Sequence, residues 1–558
     1  MSQLQRWQTS DRLPPDLKEI LDNYSATELK EAFSGELEFG TAGMRGLLGA
    51  GPNRMNIFTV GKANLAYGKY LLKKFKNNVK VAIAYDNRHY SQEFAMSCAR
   101  QLAKLGIVSY VFDSLRPTPE LSFAVSYLNC QGGIVITASH NPKEYNGYKV
   151  YDETGCQLTP DKVDEVIDFV KEIKDELLLD FSLTSEEEKY IKIINQEVDI
   201  PYQEAVLSIQ LQPQIEKDLK IVFSPQHGTA YPLLDNIFKK AGYDVVLVKS
   251  QTSFDPDFSQ TKSPNPEDPT AYEAALKLAH EVKADIILTT DPDADRMGIV
   301  VLHQGEYHYL TGNQGGTILL EYILSTRKKL GLLPDYGVIY NTIVTSDAGE
   351  KVAALYNVAT DKTLTGFKFI GEKIRLALEN NGPYFLMGYE ESYGYLLADF
   401  ARDKDALQSC LMVAEAANYY KGMGLTLIDV LNQVFQKVGA HHEVTESLSF
   451  PGSAGLKQIA KIMSTLRNLK LDNIAGNKIV YKEDYLTSER EANGATTKLD
   501  FPISDVLKYG FEDGSWVAVR PSGTEPKCKL YYCIVGDANQ LETKYQEYQS
   551  ALHQLIDV

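Results

Sequence analysis

The stretch Val79-Lys80-Val81-Ala82-Ile83-Ala84-Tyr85-Asp86-Asn87-Arg88 sets an apolar, β-branched run directly before a polar tetrapeptide that favours a turn. A short continuous apolar run bounded by turn residues reads as a buried strand. The cadence returns at Leu219-Lys220-Ile221-Val222-Phe223 before Ser224-Pro225-Gln226-His227-Gly228-Thr229. It returns again at Val338-Ile339-Tyr340 before Asn341-Thr342-Ile343-Val344-Thr345-Ser346, and Ala284-Asp285-Ile286-Ile287-Leu288 adds a further strand. With helical patterns between the runs, an α/β protein built from related modules is expected. After Gly439-Ala440-His441-His442 the pattern changes, and Trp516-Val517-Ala518-Val519 and Leu530-Tyr531-Tyr532-Cys533-Ile534 read as strands of a smaller closing α+β domain.

At 558 residues the chain exceeds one ordinary core, and domain size alone suggests roughly three to five domains. Hydrophobic residues at 44% and charged residues at 23% fit a globular protein, and a formal net charge of -17 disfavours nucleic acid and anionic membrane as partners. Six cysteines lie scattered without metal-ligand spacing, so reduced thiols are expected rather than a zinc site or a disulfide framework. The first residues show no basic segment followed by an apolar one, and no apolar run approaches a membrane span, so a cytoplasmic protein is expected. The acidic stretch Ser185-Glu186-Glu187-Glu188-Lys189 reads as a surface helix, and the proline-rich stretch 255–269 as a loop.

Four polar loops carry the chemistry. Thr137-Ala138-Ser139-His140-Asn141-Pro142 follows the apolar Ile134-Val135-Ile136, placing a serine hydroxyl on a strand-exit loop. Serine needs activation, or a phosphate already attached, before it does chemistry. Asp291-Pro292-Asp293-Ala294-Asp295-Arg296 follows another strand, and in an extended segment its alternating carboxylates would face one side. Three hard oxygens suit Mg²⁺; an acidic turn is the alternative. An EF-hand is excluded, because Arg296 stands at the sixth position in place of glycine and Leu302 at the twelfth in place of glutamate.

Arg520-Pro521-Ser522-Gly523-Thr524-Glu525-Pro526-Lys527 offers backbone N–H groups, hydroxyls and an arginine fork to a phosphate, or else forms an ordinary polar turn. Gly388-Tyr389-Glu390-Glu391-Ser392-Tyr393-Gly394 reads as a loop at a strand end whose carboxylate and hydroxyl groups suit vicinal sugar hydroxyls, or as a solvated loop. Phe39-Gly40-Thr41-Ala42-Gly43-Met44-Arg45-Gly46 adds a glycine-rich turn with one arginine.

Together, and in this order along nearly the whole chain, these loops resemble those of the α-D-phosphohexomutases, the family of phosphoglucomutases and phosphomannomutases. The resemblance implies three related α/β modules and a smaller α+β domain around a central cleft. These are expected at 1–205 with the phosphoserine loop, 206–315 with the metal loop, 316–437 with the sugar-binding loop and 438–558 with the phosphate-binding loop. It implies that Ser139 is a phosphoserine, that Asp291, Asp293 and Asp295 hold Mg²⁺ with the serine phosphate completing coordination, and that Glu390 and Ser392 grip sugar hydroxyls. Arg520, Ser522, Gly523 and Thr524 match the loop for the distal phosphate, and Arg45 and Arg296 match cations near the phosphoserine. His140 and Lys149 match residues near the reacting hydroxyl, and Lys404 matches a cleft lysine of glucose-specific members.

The expected reaction is interconversion of α-D-glucose 1-phosphate and glucose 6-phosphate, with glucose 1,6-bisphosphate as intermediate and activator, in a monomer or homodimer. Phe367, where other branches carry His or Trp, and Gly394, where dual-specificity members place a histidine, point toward the phosphoglucomutase and phosphopentomutase branch. Phosphopentomutase, phosphomannomutase or glucose 1,6-bisphosphate synthase activity on the same fold is the alternative, and a silent sugar-phosphate-binding protein is the reading from another class.

Overall fold

The computed structural model describes residues 2–40, 43–450, 453–522 and 527–557. The chain packs into two compact units, Met1–Leu310 with Phe367–Gly424, and Thr311–Gly366 with Leu425–Val558.

The first unit contains two sheets of mainly parallel strands. In the first the order is Met44–Leu47, Tyr145–Asp152, Gly132–Ile136, Lys80–Tyr85, Val108–Phe112, Ile191–Ile194. Lys80–Tyr85 runs parallel to Gly132–Ile136 with Ile83 opposite Ile134, and Tyr145–Asp152 closes antiparallel with Lys149 opposite Val135. The apolar continuity of 79–84 follows from cover on both faces: helices Ile57–Phe75 and Ser91–Lys104 share the core of Val81, Ile83 and Ile134 on one face, and Ala82 and Ala84 on the other are equally buried. The second sheet runs Glu306–Leu310, Met297–His303, Ile286–Thr290, Lys220–Ser224, Asp244–Leu247. Catalytic-type loops leave both sheets at strand C-termini, where open α/β sheets place their ligands.

Two local expectations are corrected. The acidic stretch near 185–189 forms only a single 3₁₀ turn, Glu187–Tyr190, with no buried residue. Adjacent glutamates without an apolar face have nothing to pay the helix nucleation cost. Gly388-Tyr389-Glu390 is not loop: the strand Tyr384–Glu390 continues through it and pairs with Gly394–Leu396, Tyr389 opposite Tyr395, leaving only 391–393 as the turn. Both tyrosines are buried, so the pairing is held by packing that the loop-like glycines concealed.

The second unit carries the parallel pair Gly337–Thr342 and Ala359–Thr363 beside helix Gly312–Leu330, which begins in a capping box of Thr311 and Gln314. Helix Leu427–Val438 ends at Gly439, and the chain enters an antiparallel sheet ordered Ala440–Ser449, Lys527–Gly536, Trp516–Pro521, Leu507–Phe511, Asn477–Asp484, Glu489–Ala492, Ala495–Lys498. Leu466 from helix Ser453–Asn468 and Leu552 from helix Leu541–Leu555 share a core with Val517, Leu530 and Tyr532, giving the expected α+β ending. Among the described residues no helix is long and apolar enough to cross a membrane.

Glu443 on strand Ala440–Ser449 accepts a hydrogen bond from the Ser346 hydroxyl at 2.5 Å, while its other oxygen has no hydrogen-bond partner among the described residues. Burial pushes this carboxyl up to about 7. A carboxyl raised in the folded state stabilises fully below its unfolded value of 4.5 and loses that contribution as pH rises through about 7. Each unit holds one of the two tryptophans, Trp7 and Trp516, so in a Trp7→Phe background Trp516 fluorescence reports the second unit. Its thermal midpoint should fall between pH 5 and 7.5 and become flatter with pH in Glu443→Gln; an unchanged slope in that variant would contradict the assignment.

Candidate active site

Strand Gly132–Ile136 delivers Ser139 into the interior, with 3% of the residue exposed. The Ser139 N–H donates to Thr137 Oγ1 at 2.8 Å, and the residue takes φ 53°, in the left-handed region. The Ser139 hydroxyl donates to Asp291 Oδ2 at 2.8 Å and lies 3.2 Å from His140 Nδ1. Neighbouring side chains thus meet at one oxygen, although adjacent residues in a strand would diverge.

The carboxylates converge by a different route from the extended segment expected. Residues 291–295 form a turn, with the Ala294 N–H donating to the Asp291 carbonyl at 3.0 Å and Ala294 at φ 54°. Asp291 Oδ1 caps the turn by accepting the N–H groups of Asp295 at 3.1 Å and Arg296 at 2.9 Å. A side chain that bonds its own following backbone favours a turn over a strand. Gly228 permits the turn to seat, since a Cβ there would lie 2.6 Å from Pro292 Cα.

One oxygen from each of Asp291, Asp293 and Asp295 falls within 4.8 Å of the others, all three residues being buried. Asp293 Oδ2 receives Lys149 Nζ and the Thr118 hydroxyl, each at 2.9 Å, and Asp295 Oδ2 receives Lys404 Nζ at 3.0 Å. Among the described residues, Asp293 Oδ1 and Asp295 Oδ1 have no hydrogen-bond partner. Buried, orphaned carboxylate oxygens gathered beside a serine hydroxyl fit a hard divalent cation such as Mg²⁺.

Charge sets the protonation here. Burial, then Asp293 and Asp295, push the Asp291 carboxyl well above its usual range. Burial would do the same to Asp293, but the Lys149 ammonium, a hydrogen bond shared with Asp291 and the charge of Lys404 together outweigh it and hold that carboxyl low. Burial would depress Lys149 and Lys404, yet Asp293 and Asp295 raise the first, and Asp295 and Asp403 the second. Both are ammonium ions in this arrangement. Arg296 pairs with Glu267 at 2.5 Å and is likewise held charged, with Glu390 contributing to its field and to that of Lys404.

Of the residues singled out from sequence, Arg45, Ser139, His140, Lys149, Asp291, Asp293, Asp295, Arg296, Glu390, Ser392 and Lys404 all belong to the first unit. Arg45, expected in a glycine-rich turn, lies on the strand Met44–Leu47 and donates to Asn141 Oδ1 at 3.2 Å, joining that strand to the serine loop. Glu390 is buried at the strand end, and Ser392 is half-buried in the turn that follows it. Arg520 and Ser522 belong to the second unit, where Arg520 donates to the Tyr531 hydroxyl at 3.3 Å; Gly523 and Thr524 lie outside the described residues. Sequence reading missed Thr118, which holds Asp293, and Arg88, whose Nη2 donates to the Ser139 carbonyl at 2.5 Å. The Asp86-Asn87-Arg88 turn was visible only as punctuation.

Family profiles match in sequence order: phosphoglucomutase/phosphomannomutase alpha/beta/alpha domain I at 36–177, domain II at 200–305, domain III at 311–438 and the C-terminal domain at 456–542. The chain belongs to the phosphoglucomutase/phosphomannomutase family. Within it, the phosphoglucomutase of Staphylococcus aureus is 40% identical over 523 residues, 93% of either chain. A solved phosphoglucomutase/phosphomannomutase family protein from Burkholderia thailandensis shares the fold with a TM-score of 0.67 at 20% identity, covering 93% of this chain and 97% of that one. Parafusin, a phosphoglucomutase from Paramecium solved in open form, superposes with a TM-score of 0.68 at 19% identity, over 94% of this chain and 96% of its own. Family membership makes the chain an isomerase that works by phosphoryl transfer.

Gly394, one of the departures noted in sequence, has a geometric cause in this member of the family. A Cβ at 394 would stand 2.1 Å from Lys404 Cδ, so the lysine stem reaches Asp295 only across a glycine. Gly394→Ala should lower mutase kcat about tenfold or more while the far-UV spectrum is kept, since small displacements of a charged group are costly at a reacting centre. Combined with Lys404→Met, it should add little, because both remove one interaction. Full additivity of the two losses would show that Gly394 acts elsewhere.

Proposed function

We propose that the chain is a phosphoglucomutase, interconverting α-D-glucose 1-phosphate and glucose 6-phosphate through phosphorylated Ser139 and glucose 1,6-bisphosphate. The observation that carries this is the Ser139 hydroxyl 2.8 Å from Asp291 in a buried three-carboxylate turn, with orphaned oxygens left on Asp293 and Asp295. The 40% identity to a phosphoglucomutase across 93% of the chain supports glucose as the sugar.

Asp291, Asp293 and Asp295 would hold Mg²⁺, which when bound supplies charge neutralisation at the transferred phosphoryl oxygens. Phosphoserine 139 donates its phosphoryl group to the free sugar hydroxyl: the Ser139 Oγ–P bond breaks, the sugar O–P bond forms, and the hydroxyl proton passes to a base. His140, whose Nδ1 already lies 3.2 Å from the serine oxygen, is placed for proton transfer. Lys149 and Lys404 serve as fixed positive charges, because their carboxylate partners keep them protonated. Arg45 and Arg296 add positive charge near the transferred group, while Glu390 and Ser392 take the sugar hydroxyls. After the bisphosphate turns end for end, Ser139 accepts the other phosphate.

Arg520, Ser522, Gly523 and Thr524 are assigned to the phosphate at the non-reacting end. The division into four domains near 205, 315 and 437 is supported by the four matched stretches. Six free, buried cysteines support a reducing, cytoplasmic setting.

Ser139→Ala should lose at least about 10³-fold in turnover with glucose 1,6-bisphosphate present, as loss of a nucleophile does in covalent catalysis. Intact mass of the wild-type protein should show one phosphate on the Ser139 peptide. Chelation should abolish turnover and Mg²⁺ restore it. Side-by-side assays on glucose, mannose and ribose 1-phosphates decide the sugar; faster turnover of ribose 1-phosphate would replace the glucose assignment with phosphopentomutase.

A further inference from the structure

The turn after strand Lys80–Tyr85 carries Asp86 and Arg88, a pair at 3.1 Å with neither side chain exposed. Arg88 Nη2 donates to the carbonyls of Ser139 and Asn141, each at 2.5 Å, and Nη1 donates to those of Pro142 at 2.8 Å and Tyr145 at 3.1 Å. The terminal nitrogens of one guanidinium are thus spent on the main chain of the serine loop.

We propose that Arg88 is the positioning residue of the nucleophile: by clamping the carbonyls of the 139–145 segment it holds Ser139 in the backbone conformation from which Oγ reaches Asp291. The proposal rests on the phosphoserine reading above.

A residue has two soft backbone dihedrals, and both are held at Ser139. Its N–H is fixed by Thr137 Oγ1 at 2.8 Å, and its carbonyl, which follows ψ, is fixed by Arg88. The result is φ 53°, a conformation that an L-residue bearing a Cβ leaves unless its surroundings hold it there. Released to an extended conformation, Ser139 would swing its Cβ away from the carboxylate turn.

The guanidinium is itself held on several sides. Asp86 faces Nε, and its Oδ1 accepts the Arg88 N–H at 3.0 Å and the Ser91 hydroxyl at 2.7 Å. The Phe258 ring centroid lies 5.1 Å from the guanidinium carbon, and Asn87 Nδ2 donates to the Asp255 carbonyl at 2.9 Å. The Asp86 N–H donates to the Ile136 carbonyl at 3.1 Å, tying the turn to the strand that leads into Ser139. The serine loop is therefore referenced to its own sheet and to the 255–258 segment through one short turn, 86–88. Lysine could not substitute, because an ammonium has three donors and no planar fork with which to serve four carbonyls.

Arg88→Lys keeps a cation opposite Asp86. It should lower kcat roughly a hundredfold while KM for glucose 1-phosphate changes less than about threefold, with the rate of Ser139 phosphorylation by glucose 1,6-bisphosphate falling in parallel. Thr137→Val removes the other clamp and leaves the ion pair in place, so it should give the same signature to a smaller degree even if Arg88→Lys fails to fold. Wild-type kcat in a folded Arg88→Lys, or a raised KM at unchanged kcat in Thr137→Val, would overturn the assignment. Wild-type protein that turns over without phosphate ever appearing on Ser139 would instead overturn the phosphoserine reading.

Discussion

Three carboxylates held within 4.8 Å of one another and out of water repel strongly, and the chain answers with cations brought from separate segments. Lys149 comes from the antiparallel strand of the first sheet, Arg296 from the carboxylate turn itself and Lys404 from the segment that returns after residue 366. Each cation imposes its own local requirement. Lys149 depends on the register that sets it opposite Val135, Arg296 on Glu267, and Lys404 on the missing side chain at Gly394. The oxygens left without hydrogen bonds among the described residues are the part of the balance that an added divalent ion would complete.

Left-handed backbone recurs where these requirements meet. Ser139, Ala294, Tyr393 and the pair Gln226 and His227 all have positive φ without being glycine, and they stand in or beside the loops that leave strands toward the site. Such conformations persist only where several contacts over-determine them, and they mark places where a fold gives up local ease for placement. Lys283 and Asn357, by contrast, take the same region at ordinary helix ends or turns.

The strands were legible because burial on both faces demands continuous apolar runs, as at 79–84 and 219–223. Ser139 and the three aspartates were legible because few other needs bring those residue types to a strand exit together. Arg88 was not, since its partners are main-chain carbonyls more than 50 residues away and carry no side-chain signature. The sequence leaves 291–295 open between an extended segment and a turn, because alternation of Asp looks the same in either conformation until the Asp291 cap is seen. Nor does local propensity announce that the stretch expected as a third module, 316–437, contributes to both units.

The return of Phe367–Gly424 to the first unit has a consequence for synthesis. Ribosomes release the N-terminal 310 residues first, and at about 5–20 residues per second nearly a hundred more must be added before Lys404 can follow. During that interval Asp295 lacks its nearest ammonium, and the hairpin bearing Glu390 has yet to form. A nascent chain can thus complete the serine turn well before it completes the charge balance around the aspartates, so competence for phosphoryl transfer is gained late in translation, however early the first sheet folds.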